Sequence, residues 1–219
     1  STSSNSAGAC LSGSLPHRNV AAENLKSTGQ NVTEIISNKH GVLITFGLNP
    51  ESDLASSSSG QEIGRQNDFI ISFDSFENGF NQAKADLVLP MAVFAETSGT
   101  FVNVEGLWQS FKGCVNPVGE ARPGWKILAS LGQLLLPGEF GYQTSTDVKD
   151  EVRVACSDLR LNNLTGFEAT LKTLPAISKS LQANFLLPLY GSDELARFSN
   201  DLQKTSISRA QNALVMNTG

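Results

Sequence analysis

The sequence predicts an α/β fold, with a three-layer parallel sheet carrying helices on both faces and a mainly helical or irregular C-terminal appendage. Three short runs predict the sheet: VLITF (42–46), FIISF (69–73) and LVLP (87–90). Each run is continuously apolar rather than alternating, which is typical of strands covered on both faces. The intervals of about 20 and 13 residues between them suit helical crossovers joining parallel strands.

Local signals place helices around these strands. NVTEIISNKHG (31–41) predicts a helix with Ile35 and Ile36 facing inward and Gly41 beyond its end. DSFENGFNQAKA (74–85) predicts a short helix or turn between the second and third strands.

The first crossover has weaker signals. Asn49-Pro50 predicts a turn after the first strand, and Asp53 is a candidate N-cap for a helix beyond it. The serine run at 56–59 weakens that helix, because serine is a poor residue for a helix interior.

Two further helices are predicted after the sheet. Pro123 suits the first helical position, and an apolar stripe follows it. STDVKDEVRVAC (145–156) has acidic residues in its first turn and an apolar face. The stripe consists of Trp125, Leu128, Leu131 and Leu135, and the apolar face of Val148, Val152 and Cys156.

The predicted organisation is one α/β domain over 1–140 and a helical or irregular extension over 141–219 packed on it. The helical signal weakens from about residue 157, although Leu195, Phe198 and Leu202 recur at helical spacing. The chain does not begin with methionine and opens in mid-pattern, so we expect it to be a piece of a longer protein.

The net charge and the length of the apolar runs indicate whether the chain binds nucleic acid or enters a membrane. The 219 residues carry a formal net charge of −5, whereas nucleic-acid-binding surfaces are usually strongly basic. Apolar runs are too short for a membrane span, which needs about 20 apolar residues. We therefore expect neither nucleic-acid binding nor direct membrane insertion.

The three cysteines, Cys10, Cys114 and Cys156, are far apart and form no C-x-x-C pair. An odd and sparse set argues against a disulfide framework and favours a reducing compartment. It also argues against an iron–sulfur cluster held by this chain alone, since such clusters take about four thiolates.

Catalytic motifs are weak or absent. GACLSG lacks the lysine of a phosphate loop, and no G-x-G-x-x-G follows a strand. The two histidines, His17 and His40, do not suffice for a histidine-based metal site. Glu96, Glu105 and Glu120 cluster loosely, and solvated loop positions are the favoured interpretation.

Two loops rich in small residues are candidates for a ligand site. FGLNPES (46–52) and TSGTF (97–101) follow predicted parallel strands, and ligands of open α/β sheets bind outside the carboxyl ends of the strands. Gly47 permits close backbone approach, and Asn49-Pro50 fixes a turn. The two loops line a pocket in one interpretation and form tight connections in the other, which is slightly favoured.

Several of these segments together resemble the molybdopterin oxidoreductase superfamily. GLNPE, ADLVLP, ETSGTFVNVEGLWQ and GEARPGWKIL match, in order and spacing, its patterns G-x-N-P, A-D-x-V-L-P, E-x-x-G-T-x-x-N-x-E-G-R-x-Q and G-E-A-R-P-x-W-x-I-L. Within that superfamily, NSAGACLSGSLPHR and GYQTSTDVKDEV are similar to the G subunits of bacterial NADH–quinone oxidoreductase, respiratory complex I.

The resemblance implies a structural part of the peripheral arm that carries electrons from NADH through iron–sulfur clusters to quinone. It implies that this fragment holds no cofactor and is not itself catalytic, while the 4Fe-4S and 2Fe-2S clusters lie in the missing amino-terminal part of an enzyme subunit. Other subunits of the arm would be its partners, at the inner face of the bacterial plasma membrane. The alternative is the cofactor domain of an oxidoreductase that depends on molybdopterin guanine dinucleotide.

The resemblance also implies where a pterin crevice lies in related proteins. Its vestigial candidates here are Gly47, Asn49, Pro50, Glu96, Ser98 and Gly99.

One departure from the family pattern reduces the case for a charged pocket. Leu107-Trp108 stands where the family has arginine and a variable residue, which favours an apolar packing role for Trp108. We therefore expect the turn at 96–99 to close the sheet edge, with Phe101 and Val104 packed inward.

Overall fold

A computed structural model describes residues 4–54, 63, 66–159, 190 and 194–209. The chain divides into two compact units, Ser1–Asn163 and Leu164–Gly219, and each is described by itself.

The first unit contains the predicted parallel sheet. Strands β1 (Val42–Phe46), β2 (Phe69–Asp74) and β3 (Leu87–Pro90) form a sheet in the order β1-β2-β3. Both pairings are parallel, with Val42 opposite Phe69 and Ile71 opposite Leu87. The three strand predictions are confirmed. Short runs rich in Val, Ile and Phe suit a parallel sheet, which explains why these segments form its strands.

Helices pack on one face of this sheet. Helices α2 (Val32–Ser37), α3 (Pro50–Asp53) and α4 (Gly79–Lys84) lie before and between the strands, after the short α1 (Ser6–Leu11). The buried cluster consists of Ile63, Ile70 and Phe80, packed against Ile36, Leu43, Leu54 and Ala85.

The other sheet face is apolar. The described residues cover it at its carboxyl end, where Phe73 is 1% exposed, and leave the rest partly open. Strand residues alternate between faces, and this face presents Val42, Ile44, Phe46, Phe69 and Leu87, each between 41% and 58% exposed. The arrangement with helices on both faces therefore stays a prediction.

Side chains at the helix starts explain where the crossover helices begin. In α2 and α4, Asn31 and Asn78 form capping boxes with Glu34 and Asn81. Asp53 does not start a helix as predicted but ends α3, where its carboxyl accepts a hydrogen bond from the backbone N–H of Asn49 at 2.8 Å. The serine run at 56–59 lies outside the described residues.

The segment after β3 forms a separate antiparallel hairpin. Strands β4 (Gly99–Val102) and β5 (Trp108–Phe111) pair with Val102 opposite Trp108. Asn103 holds the loop, since its side-chain oxygen accepts from the N–H groups of Glu105 and Leu107.

The predicted packing of this hairpin is wrong in one respect. Val104 lies at the hairpin tip with 85% of its surface exposed, and Phe101 is 46% exposed, although its ring packs edge-on against Phe111. Val102 is buried instead, because neighbouring strand residues face opposite sides and the hairpin packs with Val102 inward.

Two longer helices complete the first unit. Helix α5 (Gly124–Leu135) follows Pro123, and α6 (Ser145–Ala155) begins with a capping box between Thr144 and Asp147. Both helices were predicted. Helix α6 lies within the first unit and contacts β4, although residues 141–219 were assigned to the extension.

In the second unit, the described residues include α7 (Glu194–Phe198) and α8 (Asn200–Gln203). The apolar spacing of Leu195, Phe198 and Leu202 thus falls on two short helices rather than one. They are separated by Ser199, whose backbone is extended and whose hydroxyl caps α8. No helix in the described part of the chain is long and apolar enough to cross a membrane.

Candidate functional site

The carboxyl end of the parallel sheet is the first place where a ligand would be sought. After β1, the backbone turns at Gly47, whose φ of +56° favours glycine and whose N–H donates to the carbonyl of Phe73 at 2.8 Å. Asn49 and Pro50 follow, and both are buried. The turn of the FGLNPES loop, which the sequence identified as a candidate ligand site, is therefore buried.

Asp74, the last residue of β2, is the centre of a buried polar cluster. Its carboxyl accepts hydrogen bonds from the side-chain amide of Asn78 at 2.8 Å and the backbone N–H of Phe76 at 3.2 Å. Asn81 also donates to Asp74, at 3.5 Å, and to the carbonyl of Phe76 at 2.8 Å. These polar groups are satisfied by one another.

Apolar side chains occupy the neighbouring positions. The rings of Phe46 and Phe73 pack edge-on with centroids 5.9 Å apart. Gly124 lies so close that a Cβ atom there would be 2.5 Å from Phe46 and 2.8 Å from the sulfur of Met91. The backbone bonds between Ala92 and Arg122 and between Arg122 and Pro90 hold this contact at the end of β3.

The second set of predicted residues lies against the hairpin and α6. The carboxyl of Glu96 accepts from the backbone N–H groups of Val93 at 3.1 Å and Val118 at 3.2 Å. The hydroxyls of Ser98 and Ser145 are 2.8 Å apart. The loop predicted to close a sheet edge thus connects β3 to the hairpin and contacts the start of α6.

Two adjoining cavities open beside this loop. We call the smaller one, of about 210 Å³, the inner cavity and the larger one, of about 490 Å³, the outer cavity. Glu96 lines the outer cavity, and Ser98 and Gly99 line both, whereas Gly47, Asn49 and Pro50 line neither. The structure therefore does not bring the six predicted residues to one of these cavities.

The walls of these cavities contain residues that the sequence did not identify as a site. Six residues line both cavities: Ser98, Gly99, Thr100, Trp125, Ser145 and Lys149. Trp125 was predicted only as part of an apolar stripe. The sequence signal that locates this wall is the Thr144–Asp147 capping box, which fixes where α6 begins.

Ionisable groups near this wall are held by local hydrogen bonds. The backbone N–H groups of Thr144 and Gln143 lower the pKa of Asp147, since they stabilise its charged form. Farther along α6, the hydrogen bond to Glu151 raises the pKa of Tyr142 to about 12. Within the described ranges, no three His, Cys, Asp or Glu side chains are grouped so that they could hold a metal ion.

The parallel sheet and its crossovers define an α/β domain, and the chain belongs to the molybdopterin oxidoreductase family. The model of that family matches residues 4–134. The predicted resemblance to this superfamily is thereby confirmed.

Two curated relatives illustrate the range of this family. The chain is 41% identical over 88 residues to the F420-dependent formate dehydrogenase subunit alpha of Methanocaldococcus jannaschii, covering 39% of this chain and 13% of that protein. It is 35% identical over 68 residues to the mitochondrial NADH-ubiquinone oxidoreductase 78 kDa subunit of Candida albicans, covering 31% of this chain and 9% of that protein. The matched segments thus span about a tenth of these relatives.

Among solved structures, acetylene hydratase from Pelobacter acetylenicus aligns with a TM-score of 0.49 and 17% identity, over 71% of this chain and 23% of that chain.

Proposed function

We propose that this chain is part of a complex I-type subunit of NADH–quinone oxidoreductase, similar to the bacterial G subunit, and that it supplies packing surface without a redox centre of its own. The relative that is a 78 kDa subunit of NADH-ubiquinone oxidoreductase supports this assignment. Its partners would be other subunits of the peripheral arm, at the inner face of the bacterial plasma membrane. The 4Fe-4S and 2Fe-2S clusters would be held by other parts of the subunit.

The observation that carries this proposal is the state of the polar groups at the carboxyl end of the sheet. A bound pterin guanine dinucleotide would need convergent donors and acceptors there. Asp74, Asn78 and Asn81 are instead buried and bonded to one another, while Glu96 bonds to loop backbone. These residues therefore do not fit the cofactor.

The side chain at position 107 supports the same conclusion. Leu107 replaces the arginine of the resemblance pattern, and it is exposed. Trp108 beside it packs as expected, lying beneath the guanidinium of Arg153 at 5.8 Å and lining the inner cavity. This position therefore supplies no cation from its own side chain to a dinucleotide.

Elemental and nucleotide analysis of the full-length protein tests the proposal. We expect no molybdenum above the buffer background and no guanine nucleotide after acid hydrolysis. An enzyme known to contain molybdopterin guanine dinucleotide, purified in parallel, serves as the positive control. Stoichiometric molybdenum with released guanine nucleotide would overturn the proposal.

That outcome would support the second candidate function, the cofactor domain of a molybdopterin-dependent oxidoreductase. The 41% identity to a formate dehydrogenase alpha subunit is the observation that favours it. Under this candidate, Gly47, Asn49, Pro50 and the 96–99 turn would border the cofactor.

A further inference from the structure

The two adjoining cavities between the hairpin, α5 and α6 form one cleft, which we name the Trp125 cleft. We propose that the Trp125 cleft binds a small organic anion, with the apolar body in the inner cavity and the charged head group in the outer one. This inference goes beyond the proposed function and rests on the geometry of the cleft. The polar cluster at Asp74 lines neither cavity, whereas Glu96, Ser98 and Gly99 of the candidate pterin crevice line one or both.

The inner cavity has the size and surface of a site for an apolar group. Its walls include the rings of Trp108 and Trp125 and the side chains of Val102, Val148 and Val152. Its volume of about 210 Å³ exceeds the roughly 150 Å³ of an apolar cavity that accepts benzene. A body of about six to eight carbon atoms therefore fits it.

The outer cavity has an excess of positive charge. Lys112, Lys126 and Lys149 line it, against a single lining carboxyl, that of Glu96. The Glu96 oxygens already accept two backbone N–H groups. A cleft lined by charges of one sign raises the local concentration of ligands with the opposite sign.

The boundary between the two cavities carries the groups that would hold the head group. Lys149 lines both cavities with its side chain 21% exposed, and its ammonium lies 3.4 Å from the exposed carboxyl of Asp150. Trp125 also lines both, and its indole N–H is buried without an acceptor among the described residues. A buried donor left unpaired costs about 1–3 kcal/mol, so an anionic acceptor that reaches this N–H through a shift of the indole ring would relieve that cost.

The Trp125 cleft thus combines an apolar inner cavity, an outer cavity lined by lysines, and an unpaired indole N–H between them. A neutral apolar molecule would use only the inner cavity, and a simple anion only the outer one. The structure therefore favours a ligand that combines both, such as a medium-chain or aromatic carboxylate.

Octanoate is a suitable probe, because it combines an apolar chain with a carboxylate and does not absorb where tryptophan does. The 219-residue chain has two tryptophans, Trp108 and Trp125, and both line the inner cavity. We expect octanoate to change tryptophan fluorescence saturably. Octanamide should bind about tenfold more weakly, since it lacks the charge, and acetate should give no change.

Two sets of variants assign the binding to the cleft. Val148→Phe fills the inner cavity and should abolish the octanoate response, with circular dichroism confirming that the variant is folded. Lys112→Gln with Lys126→Gln changes only exposed side chains and should weaken octanoate about tenfold without affecting octanamide. Lys26→Gln, an exposed lysine outside the cleft, is the control and should leave both unchanged.

Three results would overturn the inference. They are a response that does not saturate, equal affinities for octanoate and octanamide, and octanoate binding that the two-lysine variant leaves unchanged. Each is distinct from the molybdenum and nucleotide analysis, so the cleft and the proposed function can fail separately.

Discussion

Asp74 and Ser72 occupy the same face of β2, yet their polar atoms differ completely. Asp74 accepts from the side-chain amides of Asn78 and Asn81 and from a backbone N–H. Ser72 is fully buried, and its hydroxyl has no partner among the described residues; the same is true of Thr45 opposite it. Asp74 therefore holds neighbouring groups at the end of the sheet by hydrogen bonds, while the hydroxyls of Ser72 and Thr45 bond to none of the described residues.

Paired alanine substitutions should reveal this difference. Asp74→Ala removes the carboxyl that accepts from the buried side-chain amide of Asn78 and from the backbone N–H of Phe76, and we expect the free energy of unfolding to fall by about 2–4 kcal/mol. Ser72→Ala removes a hydroxyl that makes no bond, so we expect a change within about 1 kcal/mol, toward higher stability. Urea unfolding of the 219-residue chain measures both.

Thr45→Val is the matched control, because it removes the neighbouring unpaired hydroxyl with little change of shape. A loss for Ser72→Ala as large as that for Asp74→Ala would show that the hydroxyl has a partner in solution.

At the scale of elements, glycines are needed for two different reasons: a positive φ and a lack of space for a Cβ atom. Gly13, shortly after α1, has a φ of +74°, and a Cβ atom there would lie 2.6 Å from the backbone of Asn19 and Val20. Gly119 has a φ of +59° but open space around it, and Gly41 has neither restriction. These three positions separate backbone strain from steric overlap.

Alanine at each of the three positions should give a graded series. We expect Gly41→Ala to be nearly neutral and Gly119→Ala to cost about 1–2 kcal/mol, the penalty of a left-handed backbone. Gly13→Ala should cost more than that, because the backbone of another segment must also move. Thermal unfolding orders the three variants, and equal costs at Gly13 and Gly119 would contradict the close approach.

Helices and strands can be predicted from the sequence where the residues of the element itself carry the pattern. The strands at 42, 69 and 87 are short apolar runs, and the capped helix at 145 carries its own start signal, so both could be found without a structure. The packing of Val102 rather than Phe101 could not be, because alternation fixes which residues share a face but not which face is buried. That choice involves α1 and α6, which lie far away in the sequence.

The site shows the same division. Ser98 and Gly99 were identifiable from a loop after a strand, whereas Trp125 and Lys149 belong to helices predicted only for packing and polarity. Their convergence on one cleft results from tertiary contacts such as the one between α6 and β4, which no local pattern encodes.

At the scale of the whole molecule, the sheet face that the described residues leave partly open is a feature that calls for a partner. Parallel sheets are normally covered on both faces, and contiguous exposed apolar surface marks interaction sites. Val42, Ile44 and Phe69 belong to this surface, with Val42 opposite Phe69. We expect it to be covered in the full-length protein, in keeping with a packing role.

A charge at Ile44 tests this expectation in two contexts. In the 219-residue chain, Ile44→Asp should change the free energy of unfolding by no more than about 1 kcal/mol, because the side chain is already 42% exposed. In the full-length protein the same charge would be buried without a partner, so the melting temperature and the yield of folded protein should fall clearly.

Val104→Asp, at the exposed hairpin tip, is the control and should be tolerated in both contexts. An equal response of Ile44→Asp in the chain and in the full-length protein would show that the face stays open.

The side chain of Asn5 accepts the backbone N–H of Val102 across 97 residues at 2.9 Å, and this bond has a consequence for biosynthesis. Joining such distant segments carries a large loop-closure entropy, whereas the pairing of β2 with β3 closes a much shorter loop. During translation the strands of the sheet are synthesised well before α6. Val148 and Val152 of α6 line the inner cavity together with Asn5. We therefore expect the sheet to fold while the chain is still being made, and the Trp125 cleft to be the last part to form.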